Sequence, residues 1–162
     1  MRLRRLLLIF IALVFGGGVA HAQQTPISRY TRLTGNINFV ATGATLRSQD
    51  NNGNACAVTG SSTAPLTGIP GGASVVAAYL YWGGSGSAID SNVVLNGSGV
   101  IASRTFTANF NNGGTNFPYF GAFADVTSRV SGNGSFTFTG LTVNTGTPHC
   151  GSSAVAAGWS LV

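Results

Sequence analysis

A stretch of nine residues, SVVAAYLYW from Ser74 to Trp82, decides the fold class. Successive side chains of a strand point to opposite faces, so Tyr79 and Tyr81 share one face while Leu80 and Trp82 share the other. Both faces are apolar, which is typical of a strand in the middle of a sheet that is covered on both sides. The sequence therefore predicts a central strand here, with both faces buried.

Shorter β-prone segments lie on both sides of this strand. They are predicted at Ile37–Ala41, Ala44–Arg47, Val93–Asn96, Val100–Thr107, Phe136–Thr139 and Val155–Val162. Residues 49–54 and the Ser-, Thr-, Pro- and Gly-rich residues 60–72 are predicted to be surface connections. Asn96-Gly97 favours a hairpin turn, and a change in the apolar phase at Gly140 favours a bulge.

No segment beyond the amino terminus has sustained helical periodicity. Several strands separated by turn signals favour two packed layers of sheet. We therefore predict an all-β fold, an antiparallel two-sheet sandwich of jelly-roll or Greek-key type.

The amino terminus has the organisation of a secretory signal peptide. Arginines precede the apolar run Leu6–Phe15, and Ala20 and Ala22 fit a signal peptidase site. We predict a cleaved signal peptide at residues 1–22, a loose arm at 23–35 and a β-sandwich domain at 36–162. A retained membrane anchor is the alternative, but the apolar run is short for a stable span. The protein is expected to be secreted or held at the cell surface, with no stable membrane span after cleavage.

The charge of the predicted mature chain is low. Cleavage leaves five arginines against three aspartates, a net charge of +2, and lysine is absent. Nucleic-acid binding needs clustered basic residues that neutralise phosphates, whereas these arginines are scattered. We therefore predict no nucleic-acid partner. The hydrophobic fraction of 44% favours a packed core over disorder.

Cys56 and Cys150 are the only cysteines of the chain. In an exported protein an even count of two favours one disulfide, and we predict this pairing. Free thiols or a metal site are the alternatives. Neither a C-x-x-C pair nor a second mature histidine beside His149 supports zinc, so no metal and no cofactor are predicted.

Candidate catalytic groups are sparse. Glutamate is absent, the three aspartates are far apart, and residues 83–87 lack the second glycine of a nucleophile elbow, so a glycine turn at a strand end is predicted there. His149 is interpreted as a loop histidine beside the disulfide rather than a catalytic base. We predict that the chain is not an enzyme and has no catalytic residue.

Two further groups of residues leave a choice between a binding and a structural role. Asp50–Asn54 offers oxygen ligands for calcium, but it lacks the spacing of an EF-hand loop, and a plain turn is the other interpretation. Seven aromatic residues could form the core or an exposed platform for sugar rings. They are Tyr79, Tyr81, Trp82, Phe117, Tyr119, Phe120 and Trp159.

Four segments together carry a family resemblance: AAYLYWGG at 77–84, DSNVVLNG at 90–97, FADVT at 123–127 and AGWSLV at 157–162. The chain resembles the β-rich amino-terminal domain of large exported bacterial surface proteins. This resemblance implies a non-catalytic structural or adhesion-type module, with an unknown surface partner or glycan and with further domains in the full-length protein. The alternative is a carbohydrate-binding jelly-roll module.

Residues 124–130 also resemble a turn of galactose-binding-like jelly rolls. The resemblance implies that Asp125 accepts hydrogen bonds from nearby backbone N–H groups, while Val126 and Val130 point inward. We interpret this turn as a marker of the fold and not as a ligand site.

The last segment, Val155–Val162, has a strong apolar face up to the final residue, with no turn or breaker after it. Domains commonly end in polar residues at the surface. We therefore predict that the β-sandwich domain is truncated at its carboxy-terminal end.

Overall fold

A computed structural model describes residues 26–50 and 52–162, and this part of the chain contains nine strands and no α-helix. The strands are β1 Thr42–Thr45, β2 Ser61–Leu66, β3 Tyr79–Ser85, β4 Asn92–Leu95, β5 Ser98–Ile101, β6 Arg104–Asn112, β7 Thr115–Asp125, β8 Gly134–Thr139 and β9 Ala157–Leu161. Two 3₁₀ turns, Thr127–Arg129 and Cys150–Ser152, lie in the connections. The all-β prediction is confirmed. The predicted signal peptide lies outside the described residues.

The strands form two antiparallel sheets that pack together. One sheet has five strands in the order β1-β9-β3-β7-β6, and the other has four in the order β2-β8-β4-β5. Trp159 of the first sheet stacks on Phe138 of the second, with ring centroids 5.5 Å apart and planes 12° apart. Both rings are buried, so this contact lies in the core between the layers. The prediction of an antiparallel two-sheet sandwich is confirmed.

β3 occupies the middle of the five-stranded sheet, as predicted, but only one of its faces is fully buried. Leu80 and Trp82 point into the core, whereas Tyr81 on the opposite face is 41% exposed. The prediction that both faces are buried was wrong because a two-layer sandwich covers each sheet on one side only. The bounds also differ, since residues 74–78 precede the strand and 83–85 belong to it.

Gly83 and Gly84 therefore lie inside β3, and not in a turn that follows it. A Cβ atom on Gly83 would lie 2.6 Å from the carbonyl oxygen of Phe120 on the neighbouring strand. Such a distance is too short for any side chain, so glycine permits the close approach of the two backbones.

The predicted hairpin at Asn96-Gly97 is present between β4 and β5. Leu95 and Ser98 are paired, and both loop residues have positive φ angles, 49° and 76°, as a type I′ turn requires. The predicted strand Val100–Thr107 is divided, however. β5 belongs to the four-stranded sheet, and β6 begins in the five-stranded sheet after the corner at Ala102 and Ser103.

Other predicted elements agree in part. β9 has the predicted apolar face. In β8, Phe136 and Phe138 point into the core as predicted, but the strand ends at Thr139 instead of continuing through a bulge at Gly140. Ile37–Ala41 forms no strand, and Ala44–Arg47 overlaps only the end of β1. β2 lies within the predicted connection 60–72, where Pro65 is tolerated because β2 is an edge strand.

Candidate functional site

Aromatic side chains cluster on the face of the five-stranded sheet that points away from the four-stranded sheet. Tyr81 and Phe123 are cross-strand partners on β3 and β7, with ring centroids 5.1 Å apart. Tyr79 lies 5.5 Å from Phe123 on the same face, and Tyr30 of the preceding segment lies 4.7 Å from it. We call Tyr30, Tyr79, Tyr81 and Phe123 the aromatic face. Phe123, at its centre, is buried, whereas Tyr30 and Tyr81 are 45% and 41% exposed.

The segment before β1 is held on this face by Arg104 of β6. The guanidinium carbon of Arg104 lies 4.9 Å from the centre of the Tyr30 ring, and Nη1 donates to the carbonyl oxygen of Ser28 at 3.1 Å. A cation over an aromatic ring is attracted by the electron-rich face of that ring. Residues 26–34 form neither strand nor helix, but at Tyr30 the predicted loose arm is packed on the sheet.

A shallow cleft of about 390 Å³ adjoins the aromatic face. Three glycines of neighbouring strands, Gly158, Gly83 and Gly121, are paired in one row across the sheet. The cleft runs along this row, and Tyr81 and Phe106 are among the side chains that line it. Because glycine has no side chain, the backbone of the sheet is exposed between these two aromatic rings.

Asp125 and Thr127 form the turn that follows β7. The Asp125 carboxylate accepts hydrogen bonds from the backbone N–H of Thr127 at 3.0 Å and from its hydroxyl at 2.6 Å. The hydroxyl oxygen in turn accepts the backbone N–H of Ala78 at 3.0 Å. Val126 and Val130 are buried. These contacts agree with the interpretation of the turn as a structural feature.

These hydrogen bonds also affect the charge of the turn. The hydroxyl of Thr127, and then its backbone N–H, lower the pKa of the Asp125 carboxyl below its ordinary value. Burial, and then the nearby charge of Asp125, raise the pKa of the Tyr79 phenol. The turn therefore stays negatively charged close to the aromatic face.

The other two aspartates also bind backbone N–H groups. Asp50 accepts from Asn52 at 3.0 Å and from Gly53 at 2.9 Å, which is the geometry of a side-chain-capped turn. Asp90 accepts from Asn92 at 3.1 Å and from Thr142 at 2.7 Å. No group of three or more His, Cys, Asp or Glu side chains that could hold a metal occurs among the residues from 26 onward, position 51 excepted.

His149 is fully buried beside the disulfide. Its Nε2 lies 2.9 Å from the carbonyl oxygen of Pro118, and since a carbonyl can only accept, this nitrogen donates. The ring packs edge-on against Phe117 and Tyr119, with centroids 5.8 and 5.2 Å away. His149 is therefore held in the interior by backbone and aromatic contacts.

The predicted disulfide between Cys56 and Cys150 is present, with Cα atoms 5.1 Å apart. It links the connection between β1 and β2 to the 3₁₀ turn before β9. These segments are 94 residues apart in sequence, so the bond joins distant parts of the chain.

Most of the seven predicted aromatic candidates are core residues. Trp82, Phe117, Phe120 and Trp159 are buried, and the two indole N–H groups donate to the carbonyl of Asp90 and the hydroxyl of Ser62, both at 2.8 Å. Tyr79 and Tyr119 are half-buried, and Tyr81 alone of the seven is exposed.

Sequence reasoning missed Tyr30, Arg104, Phe106 and Phe123 as members of this surface. Phe123 was detectable, because it lies an even number of residues from Tyr119 on one strand and thus on the same face. The Gly113-Gly114 pair was a second signal, since it marks the hairpin that places β6 beside β7. No sequence feature could have placed Tyr30 on this surface, because its segment has no regular periodicity.

No family model, curated protein or solved structure matches the chain. Across the described ranges 26–50 and 52–162, no helix has the length and apolar character that crossing a bilayer requires.

Proposed function

We propose that this chain is a non-catalytic, adhesion-type module of an exported bacterial surface protein, built as a sandwich of jelly-roll or Greek-key type. The main observation behind the proposal is the aromatic face. Tyr81 of this face belongs to the central strand β3, yet 41% of it is exposed to solvent. Large accessible aromatic groups are enriched at protein binding sites because they bury much area at a low entropic cost.

The contacts of the three aspartates and of His149 support a structural role for these residues. Asp50, Asp90 and Asp125 all accept backbone hydrogen bonds, and His149 donates to a backbone carbonyl in the interior. Groups engaged in this way position the loops of the sandwich. The disulfide is compatible with an oxidising, extracellular environment.

Binding of the labelled chain to intact bacterial cells and to immobilised extracellular-matrix proteins tests this proposal. Tyr81→Ala should weaken binding about tenfold, which corresponds to ~1.4 kcal/mol. Phe110→Ala is the matched control, because Phe110 is also an exposed aromatic residue but lies near the β6–β7 hairpin, away from the aromatic face. Equal binding by Tyr81→Ala and the unmodified chain would contradict a role for this face, and turnover in a broad hydrolase screen would contradict a non-catalytic function.

A carbohydrate-binding module is the second candidate, favoured by the cleft beside Tyr81. A sugar ring that stacks on an exposed aromatic ring needs free space beside it, and the row of Gly158, Gly83 and Gly121 provides this space. Gly121→Ala tests the idea, because its added Cβ would lie 3.8 Å from Phe106, an ordinary contact distance. On a glycan array, sugar binding should be lost in Gly121→Ala and in Tyr81→Ala but retained in Phe110→Ala. Absence of binding to every glycan by the unmodified chain would exclude this candidate.

A further inference from the structure

The chain contains four Asn-Gly dipeptides, at residues 52–53, 96–97, 112–113 and 133–134. In such a dipeptide the backbone nitrogen of the glycine can attack the side-chain carbonyl carbon of the asparagine, because glycine has no side chain to block the approach. The reaction needs an asparagine side chain that is free to turn toward this nitrogen. It also needs a glycine N–H that is free to give up its proton. The contacts of each dipeptide therefore determine whether it reacts.

Asn112-Gly113 lies at the tip of the hairpin between β6 and β7. Asn112 ends β6 and is paired with Thr115 across the turn. Gly113 and Gly114 form the turn, with φ angles of 56° and 83°, and a Cβ on either glycine would meet nothing within 4 Å. Asn112 is exposed, and neither its side chain nor the N–H of Gly113 makes a hydrogen bond with any residue of the ranges 26–50 and 52–162. Both reacting groups are thus free.

In two of the other dipeptides the asparagine side chain is held by a neighbouring segment. The Asn96 side-chain oxygen accepts the backbone N–H of Thr137 at 2.8 Å. The Asn133 side chain accepts the N–H of Ile69 and donates to its carbonyl oxygen, both at 2.9 Å. These bonds must break before the side chain can turn toward the glycine nitrogen. Because breaking them costs free energy, the contacts slow the reaction at Asn96 and Asn133.

In the remaining dipeptide, Asn52-Gly53, it is the attacking nitrogen that is engaged. Asn52 is exposed, but the N–H of Gly53 donates to the Asp50 carboxylate at 2.9 Å. A nearby negative charge disfavours the loss of a proton from this nitrogen. The carboxylate therefore keeps the nitrogen protonated and slows its attack.

We propose that Asn112 is a site of spontaneous deamidation, with water as the co-reactant. The nitrogen of Gly113 forms a bond to Cγ of Asn112, and the bond between Cγ and Nδ2 breaks. The proton from the Gly113 N–H leaves with the amide group as ammonia. Water then opens the cyclic succinimide at either carbonyl carbon, without any change in oxidation state. Opening at Cγ gives aspartate, and opening at the main-chain carbonyl gives isoaspartate.

Both products change the tip of the hairpin. Each adds a carboxylate to a chain that has three aspartates and no glutamate. Isoaspartate also adds a methylene group to the main chain, which displaces the pair formed by Asn112 and Thr115 at the end of the two strands. The tip lies away from the aromatic face, so the inference is independent of the proposed function.

Incubation of the folded, disulfide-bonded chain in mildly alkaline buffer tests the proposal, with reduction, trypsin digestion and mass spectrometry as the readout. Residues 105–129 form a tryptic peptide with Asn112-Gly113 as its only Asn-Gly pair. Conversion at Asn112 should be at least about fivefold faster than at any of the other three sites. In urea all four sites should react at similar rates, because unfolding removes the contacts. The proposal is overturned if another site reacts as fast as Asn112 in the folded chain, or if Asn112 stays intact while the unfolded chain reacts.

Two variants test the role of the contacts. Asp50→Ala removes the acceptor of the Gly53 N–H, so conversion at Asn52 should accelerate at least about threefold while the rate at Asn112 stays unchanged. Asn112→Gln should abolish the mass change of the peptide 105–129, because glutamine would have to form a larger ring, which closes more slowly. An unchanged rate at Asn52 in Asp50→Ala, or a mass change that persists in Asn112→Gln, would also overturn the proposal.

Discussion

At the residue scale, the carboxylate of Asp125 links the pH to the stability of the fold. Its hydrogen bonds to Thr127 lower its pKa relative to the unfolded chain, where an aspartate has a pKa of about 3.9. A group with a lowered folded-state pKa stabilises the fold above its unfolded pKa, and this contribution is lost as the pH falls through the folded value. Asp125 therefore contributes fully at neutral pH and progressively less below about pH 3.9.

We expect the free energy of unfolding to fall in acid more steeply in the unmodified chain than in Asp125→Asn. The substituted amide still accepts a hydrogen bond but does not titrate, so its contribution no longer depends on pH. Urea unfolding at pH 7 and at pH 3 measures both slopes. Asp50→Asn provides a comparison at a second aspartate-capped turn. Identical acid dependence in the unmodified chain and in Asp125→Asn would show that the Thr127 contacts do not stabilise the charged carboxylate.

At the scale of the element, the hairpin between β4 and β5 depends on its two-residue turn. Asn96 also joins the hairpin to β8, because its backbone N–H and its side-chain oxygen both bind the backbone of Thr137 at 2.8 Å. Gly97 has a φ of +76°, which a residue with a Cβ adopts at a cost. The turn thus sets the register of β5 and helps to hold the hairpin against the rest of its sheet.

Gly97→Ala should lower the free energy of unfolding by about 1 kcal/mol, because alanine is strained at this positive φ. Gly99→Ala is the matched control: the neighbouring glycine also has open space around a Cβ, but its φ is not in the positive range. Chemical unfolding of the two variants measures the difference. A loss in Gly99→Ala as large as that in Gly97→Ala would contradict the conformational explanation.

At the scale of the whole molecule, the disulfide joins two connections that are far apart along the chain. A cross-link between residues this far apart reduces the conformational entropy of the unfolded chain. This effect stabilises the folded state by at most about 4–5 kcal/mol. The bond lies beside the buried His149, so it also orders the connection that leads into β9.

Replacing both cysteines with serine should lower the melting temperature substantially, with a loss of stability of up to about 4–5 kcal/mol. Differential scanning calorimetry of the unmodified chain, with and without reductant, measures the same loss independently. The Cys56→Ser, Cys150→Ser variant should be insensitive to reductant. An unchanged melting temperature after complete reduction, checked by intact mass, would contradict a stabilising role for the bond.

The alternation of side chains was enough to predict the strand class and the inward face of β9, because these properties depend on local order along one strand. The apolar residues on both faces of β3 also predicted its central place in the sheet, although only one of those faces is fully buried. Asn96-Gly97 predicted its hairpin for the same reason. The two cysteines predicted their disulfide because no other pairing within the chain was possible.

Only the tertiary structure decided which face of β3 is accessible, since Tyr81 and Trp82 are both large aromatic residues but only one side of the sheet meets a second layer. It also placed β5 and β6 in different sheets and brought Tyr30 onto Phe123. Such relations join residues distant in sequence, and a pattern with a period of two residues carries no information about which distant segment covers a given face.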